Sequence, residues 1–107
     1  MTPRLTPDAI DLVAERFRTL GEPTRLRLLN ALRTGERSVG DLVADLGTSQ
    51  ANVSKHLQLL HAAGFVARRR EGTTVYYQLA DPTVFKLCDL VCGRLEDHLD
   101  RRRRALR

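Results

Sequence analysis

Residues 48–64, TSQANVSKHLQLLHAAG, constrain the fold more than any other stretch of the chain. Val53, Leu57 and Leu60 recur at i, i+4 and i+7, so a helix here carries three branched apolar side chains on one stripe that has to be buried. With that stripe inward, Thr48, Ala51, Asn52, Lys55 and Gln58 turn outward, a face of one cation, two amides and a hydroxyl without a carboxylate. Such a face suits nucleic acid: Asn and Gln pair with adenine, Lys with guanine or phosphate, Ser and Thr with either. Ahead of it, residues 38–46 read as a shorter helix, and Gly47 between the two takes the left-handed conformation at no steric cost. Helix, glycine turn and a second helix with a polar N-terminal end predict a helix-turn-helix whose second helix reads DNA.

The preceding residues supply the support. Thr6-Pro7-Asp8 is a helix start, with a capping hydroxyl, proline at the first position and a carboxylate near the positive end of the dipole. Ile10, Val13, Ala14, Phe17 and Leu20 form its apolar face, and Gly21 stops it. Pro23 opens a second helix, with Leu26, Leu29 and Leu32 expected inward, Arg25 and Arg27 at the surface, and Gly35 closing the segment. Ser38-Val-Gly-Asp41 has capping-box spacing, with Asp in place of Glu, and opens a third helix with core residues Leu42, Val43 and Leu46.

After Gly64 the period turns from helical to alternating. Residues 65–70 and 75–79 read as strands, with Val75, Tyr77 and Leu79 on one face, Tyr76 and Gln78 on the other, and residues 71–74 as the hairpin turn. Arg68, Arg69 and Arg70 lie on the approach to that turn. A basic wing therefore follows the recognition helix, although basic residues on a strand edge also serve to block edge-to-edge pairing.

Asp81-Pro82 starts a last helix running to about residue 104. Its stripe of Val84, Cys88, Val91, Leu95 and Leu99 is close to a 3.5-residue repeat, the seam of helices packed at a shallow angle. In a domain this small the seam meets a second copy, and a twofold homodimer places two recognition helices on a roughly palindromic double-stranded site. The arginine run at 101–104 reads as a solvated helix end favoured by the dipole.

At 107 residues the chain is one domain, with its core at about residues 8–99 and a basic tail at 101–107. Lys and Arg outnumber Asp and Glu by 18 to 13, a balance that fits a polyanionic partner. No apolar run approaches the ~20 residues of a spanning helix, so the expectation is a cytoplasmic protein with no membrane partner. In that compartment two cysteines are buried thiols, metal ligands or redox groups rather than a structural disulfide.

The blocks LGEPTRLRLLNAL, SVGDLVADLGTSQANVSKHLQLLHAAGFV and RRREGTTVYYQL resemble the ArsR/SmtB family of winged helix-turn-helix repressors, over about residues 15 to 99. The resemblance implies a mainly α fold of five helices plus one two-stranded wing. It also implies a homodimer joined through the first and last helices that represses an operon until an inducer releases it. By motif position it implies a DNA-facing set of Ser49, Gln50, Asn52, Ser54, Lys55 and His56, with Thr48 beside them, and a wing set of Arg68, Arg69, Arg70, Thr73, Thr74 and Tyr76. The helical wheel agrees for Asn52 and Lys55, but turns His56 toward the buried side, so a core-edge role stays open beside a phosphate contact.

The inducer sites of the family are where the chain departs. Metal-sensing members carry two cysteines in an ELCVCDL segment; here Glu36-Arg37-Ser38-Val39-Gly40-Asp41-Leu42 has Ser38 and Gly40 in their place. A second family site pairs Asp and His two residues apart at the start of the last helix; here Asp81 is followed by Thr83, and His98 is out of register. Cys88 and Cys92 remain, one turn apart on the last helix, where a twofold dimer gathers up to four thiols. Such a cluster would hold arsenite or a thiophilic metal, or take up a persulfide or disulfide, while free cysteine also serves simply as a small apolar seam residue. Catalysis is not expected, because no Gly-rich phosphate loop and no nucleophile with a base at recognisable spacing is present. A winged helix that docks on protein rather than DNA is the other alternative.

Overall fold

Thr6, Glu22, Ser38 and Ser49 each stand in extended conformation at a helix start and accept a backbone N–H with the side chain, at Ala9, Arg25, Asp41 and Asn52 respectively. These caps set the helix boundaries in the computed structural model, which describes residues 4–105. The last two residues of the expected basic tail lie outside the described residues. The helices are α1 (Pro7–Leu20), α2 (Pro23–Ala31), α3 (Val39–Leu46), α4 (Gln50–Ala62) and α5 (Val84–Ala105), and the strands β1 (Arg37–Ser38), β2 (Val66–Glu71) and β3 (Thr74–Leu79).

The wing is the expected two-stranded hairpin of β2 and β3, and a short third strand joins it antiparallel in the order β1-β3-β2: Arg37 and Ser38 pair with Tyr77 and Tyr76. Ser38 serves both elements, its backbone in the ladder and its Oγ accepting the Asp41 N–H at 3.1 Å. The hairpin itself is tighter than expected, since Glu71 pairs with Thr74 and only Gly72 and Thr73 form the turn. Gly72 has φ of 62°, and among the described residues none other than glycine has positive φ, the pattern of a type II′ turn whose twist matches that of the flanking strands.

The core is Leu28, Leu29, Leu32, Leu42, Val53, Leu57, Leu60, Phe65, Val66, Tyr77 and Val84. All three stripe residues of α4 are in it, so the helix is held on its inner side by α2, α3 and the sheet. In α2 Leu29 is buried as expected and Leu32 at its C-cap with it, but Leu28 is buried as well, while Leu26, expected inside, is 39% exposed. Leu26 lies on the side of α2 that faces a groove shared with α1 and α5, while Leu28 faces the packed core.

The first and last helices barely enter this core. No residue of α1 is buried, and Phe17 of its apolar face is 55% exposed. In α5 Val84, expected at the head of the seam, packs into the chain's own core at 7% exposure, whereas Val91 is 61% exposed and Leu95 and Leu99 are also open. Among the described residues no helix is long and apolar enough to cross a membrane.

Candidate nucleic-acid interface

The turn between α3 and α4 is built as its residues require. Gly47 has φ of 68° and donates its N–H to Val43 O at 3.0 Å, closing α3 in the left-handed conformation. Ser49 Oγ accepts the Asn52 N–H at 3.1 Å. The Asn52 side-chain amide donates to Thr48 Oγ1 at 3.2 Å, which orients it and leaves its carbonyl oxygen and one N–H for an outside partner. Gln50, Ala51, Lys55 and Gln58 are exposed, and Thr48, Asn52 and Ser54 are half-buried. No Asp or Glu occurs between Asp45 and Glu71, so the whole run from the end of α3 to the wing tip is free of acidic side chains.

His56 is not on that face. It is 8% exposed, with Nδ1 3.1 Å from Arg25 Nη1 and 3.7 Å from Glu22 Oε2. A guanidinium has only donors, so in the contact with Arg25 it is Nδ1 that accepts. Arg25, expected at the surface, is half-buried, and its Nε donates to Thr19 O at 2.6 Å, tying the end of α1 to α2 and α4. Glu22 is held below the usual carboxylate range chiefly by the Arg25 N–H it accepts as helix cap.

The three wing arginines differ. Arg68 and Arg70 lie across the ladder from Tyr77 and Val75, and among the described residues neither has a carboxylate within ion-pair distance. Arg69, on the opposite face across from Tyr76, is fully engaged. Its Nε and Nη2 donate to the two oxygens of Glu36 at 2.8 and 2.6 Å, its Nη1 donates to Glu71 at 2.8 Å, and its guanidinium lies 4.4 Å from the centre of the Tyr76 ring. Glu36 is correspondingly held below its ordinary pKa, first by the hydrogen bonds from Arg69. Thr73 and Thr74 are exposed and Tyr76 is half-buried, one ring face covered by Arg69. Nothing in the sequence around Glu36 marks it as a partner of Arg69, 33 positions away.

Away from this surface, Asp81 is turned back on its own chain, accepting the Thr83 N–H at 2.9 Å and the Thr83 hydroxyl at 2.7 Å; the hydroxyl is the main cause of its lowered pKa. Cys88 is half-buried and Cys92 exposed. Both line an apolar groove of about 440 Å³ between α1, α2 and α5, with Phe17, Leu26 and Leu95 among its walls. Arg33 is also on its wall, 2.6 Å from Asp89 and 4.3 Å from the Phe85 ring centre. Among the described residues no three His, Cys, Asp or Glu side chains stand close enough to hold a metal ion.

The family model for bacterial regulatory proteins of the arsR family matches residues 22–68, the segment from the α2 cap to Arg68 on the wing. Over 77 residues the chain is 43% identical to Rv0081 of Mycobacterium tuberculosis, an HTH-type transcriptional regulator, covering 71% of this chain and 68% of that one. The chain belongs to the ArsR family. Solved structures superpose closely on it. The Rv0081 crystal structure has a TM-score of 0.80 at 37% identity, covering 92% of this chain and 98% of that one. The homodimeric winged helix-turn-helix domain of Mb0332 from Mycobacterium bovis gives 0.77 at 34%, covering 94% and 95%. AntR, an antimony-specific transcriptional repressor, gives 0.79 at 32%, covering 92% and 90%. The ArsR fold, a winged helix-turn-helix of five helices, is thus the fold of this chain, and its family is one of regulatory proteins, not enzymes.

Proposed function

We propose that the protein is a homodimeric, cytoplasmic repressor that binds a roughly palindromic DNA site through α4 and the wing tip. The observation that carries this reading is the outward face of α4, where Gln50, Asn52 and Lys55 stand beside Thr48, Ser49 and Ser54 over a fully buried stripe, in a run without acidic residues. Arg68 and Arg70 extend the positive face along the hairpin, with Thr73 and Thr74 at and beside its turn. The exposed apolar faces of α1 and α5 support the dimer, as does the homodimeric state of the Mb0332 domain.

Selection of duplexes from a random pool with the intact protein tests the reading. A palindromic sequence should be enriched, and log affinity should fall with log salt by about 0.9 per phosphate neutralised. Enrichment of nothing, or a flat salt response, favours a protein partner instead.

Thiol control is a second reading, favoured by the position of Cys88 and Cys92 in the groove between α1, α2 and α5. Arsenite and a tetrahedral thiolate site take more than two thiols, so capture of arsenite or cadmium by Cys88 and Cys92 draws on thiols from both subunits. Arsenite, cadmium and a persulfide donor should each be tried on the DNA complex of the wild type and of Cys88→Ser/Cys92→Ser. Release of the wild type alone assigns the effector class; release of both or neither removes the cysteines from the mechanism.

A further inference from the structure

We propose that Arg69 is a positioning residue that fixes the wing against the start of the helix-turn-helix, and that it does not contact phosphate. The inference rests on the DNA-binding reading above. Its geometry is independent of that reading.

Three features set Arg69 apart from its neighbours. Its side chain engages Glu36 through two parallel hydrogen bonds, the strongest arrangement a guanidinium and a carboxylate adopt, and takes Glu71 as a third acceptor. Two carboxylates surround one cation, so the local charge that a phosphate would meet is negative. The guanidinium face is occupied as well, lying over Tyr76, whose backbone pairs with both Arg69 on β2 and Ser38 on β1. Glu36 immediately precedes β1 and Ser38 caps α3, so the clamp joins the wing to the first helix of the DNA-binding pair. A wing held this way presents Arg68 and Arg70 at a fixed height relative to α4.

Phosphate contact and clamping predict opposite signs at Glu36. If Arg69 binds phosphate, Glu36→Gln removes a competing carboxylate and tightens DNA binding; net charge alone predicts the same. If Arg69 clamps the wing, Glu36→Gln weakens binding roughly three- to fivefold, by the same factor as Arg69→Gln, and the double variant is no worse than either.

The salt slope supplies the second test. It should stay at the wild-type value in Arg69→Gln and fall by about 0.9 in Arg70→Gln. The third is amide hydrogen exchange across residues 66–79 in the free protein, which should speed up in both Glu36→Gln and Arg69→Gln, with thermal melts confirming that each variant is folded. Tighter binding in Glu36→Gln, a reduced slope in Arg69→Gln, or unchanged wing exchange each overturns the proposal. If selection enriches no duplex, the DNA reading fails, while the exchange experiment still decides whether the clamp holds the wing.

Discussion

The guanidinium of Arg25 meets Nδ1 of His56 at 3.1 Å, across 31 positions of sequence, and the same side chain caps the last carbonyls of α1. One residue of α2 therefore fastens α4 to the end of α1. Arg25→Ala leaves Thr19 O and the buried His56 nitrogen without their donor, and stability should fall by about 1–3 kcal/mol, read by urea denaturation. Arg27→Ala, on the exposed side of the same helix, should stay within about 0.5 kcal/mol of wild type. Equal effects of the two would show that the Arg25 contacts carry no weight.

The two faces of α4 should separate in mutation. Lys55→Ala should lower DNA affinity by about 1–3 kcal/mol if it reads a base, and leave the urea midpoint within experimental error. Leu57→Ala should do the reverse at the level of the isolated protein, costing about 2–5 kcal/mol of stability because the residue is completely buried. A Lys55→Ala protein with wild-type affinity would move the DNA contact off this helix.

Acid should loosen the fold in a definite window. Glu22, Glu36 and Asp81 are all held below their ordinary values, by the Arg25 N–H, the Arg69 side chain and the Thr83 hydroxyl respectively. In each case the folded-state pKa is the lower one, so the unfolded chain takes up protons first. The stability these groups lend is complete above the ordinary carboxylate values, 4.5 for Glu and 3.8 for Asp, and is lost as pH falls through the folded values. Melting temperatures should therefore drop below pH ~5, and the combined Glu22→Gln, Glu36→Gln and Asp81→Asn variant should show a shallower drop. An unchanged slope would assign the acid response to other groups.

Association should run through the apolar faces left open by one chain. Val91→Glu, alone or with Phe17→Glu, places a charge on a face that a partner would have to desolvate, and sedimentation should find monomer where wild type is dimer. Affinity for a two-half-site duplex should fall together with the dimer, while affinity for an isolated half-site should not change. A Val91→Glu protein that remains dimeric would place the interface elsewhere.

Much of this molecule could be read in advance because its signals are local. The stripe of α4, the Gly47 turn, the caps at Thr6 and Ser38 and the alternation of β3 each lie within a few residues, and each is present in the structure. Legibility ended where pairing is remote or an element is short. Arg69 and Glu36 are 33 positions apart, so a run of three arginines gave no sign that the middle one is neutralised. Two residues suffice for β1, too few for any period to register. Leu26 and Leu28 are equally apolar, and only the placement of α3 and α4 on one side of α2 and the groove on the other decides which is buried. At His56 the helical period alone turns the ring inward, where it is buried beside Arg25.

The 22-residue α5 is held at its first turns by Val84, by Phe85 beneath Arg33 and by the Arg33–Asp89 bridge, and nothing beyond them is buried among the described residues. Within one protomer it is a cantilever. At 1.5 Å of rise per residue the stretch from Asp89 to Ala105 reaches about 24 Å, so a tilt of about 5° at Asp89 moves the far end by roughly 2 Å. Cys88 sits at the root, next to Asp89, where leverage is greatest and the displacement needed to be felt far away is smallest.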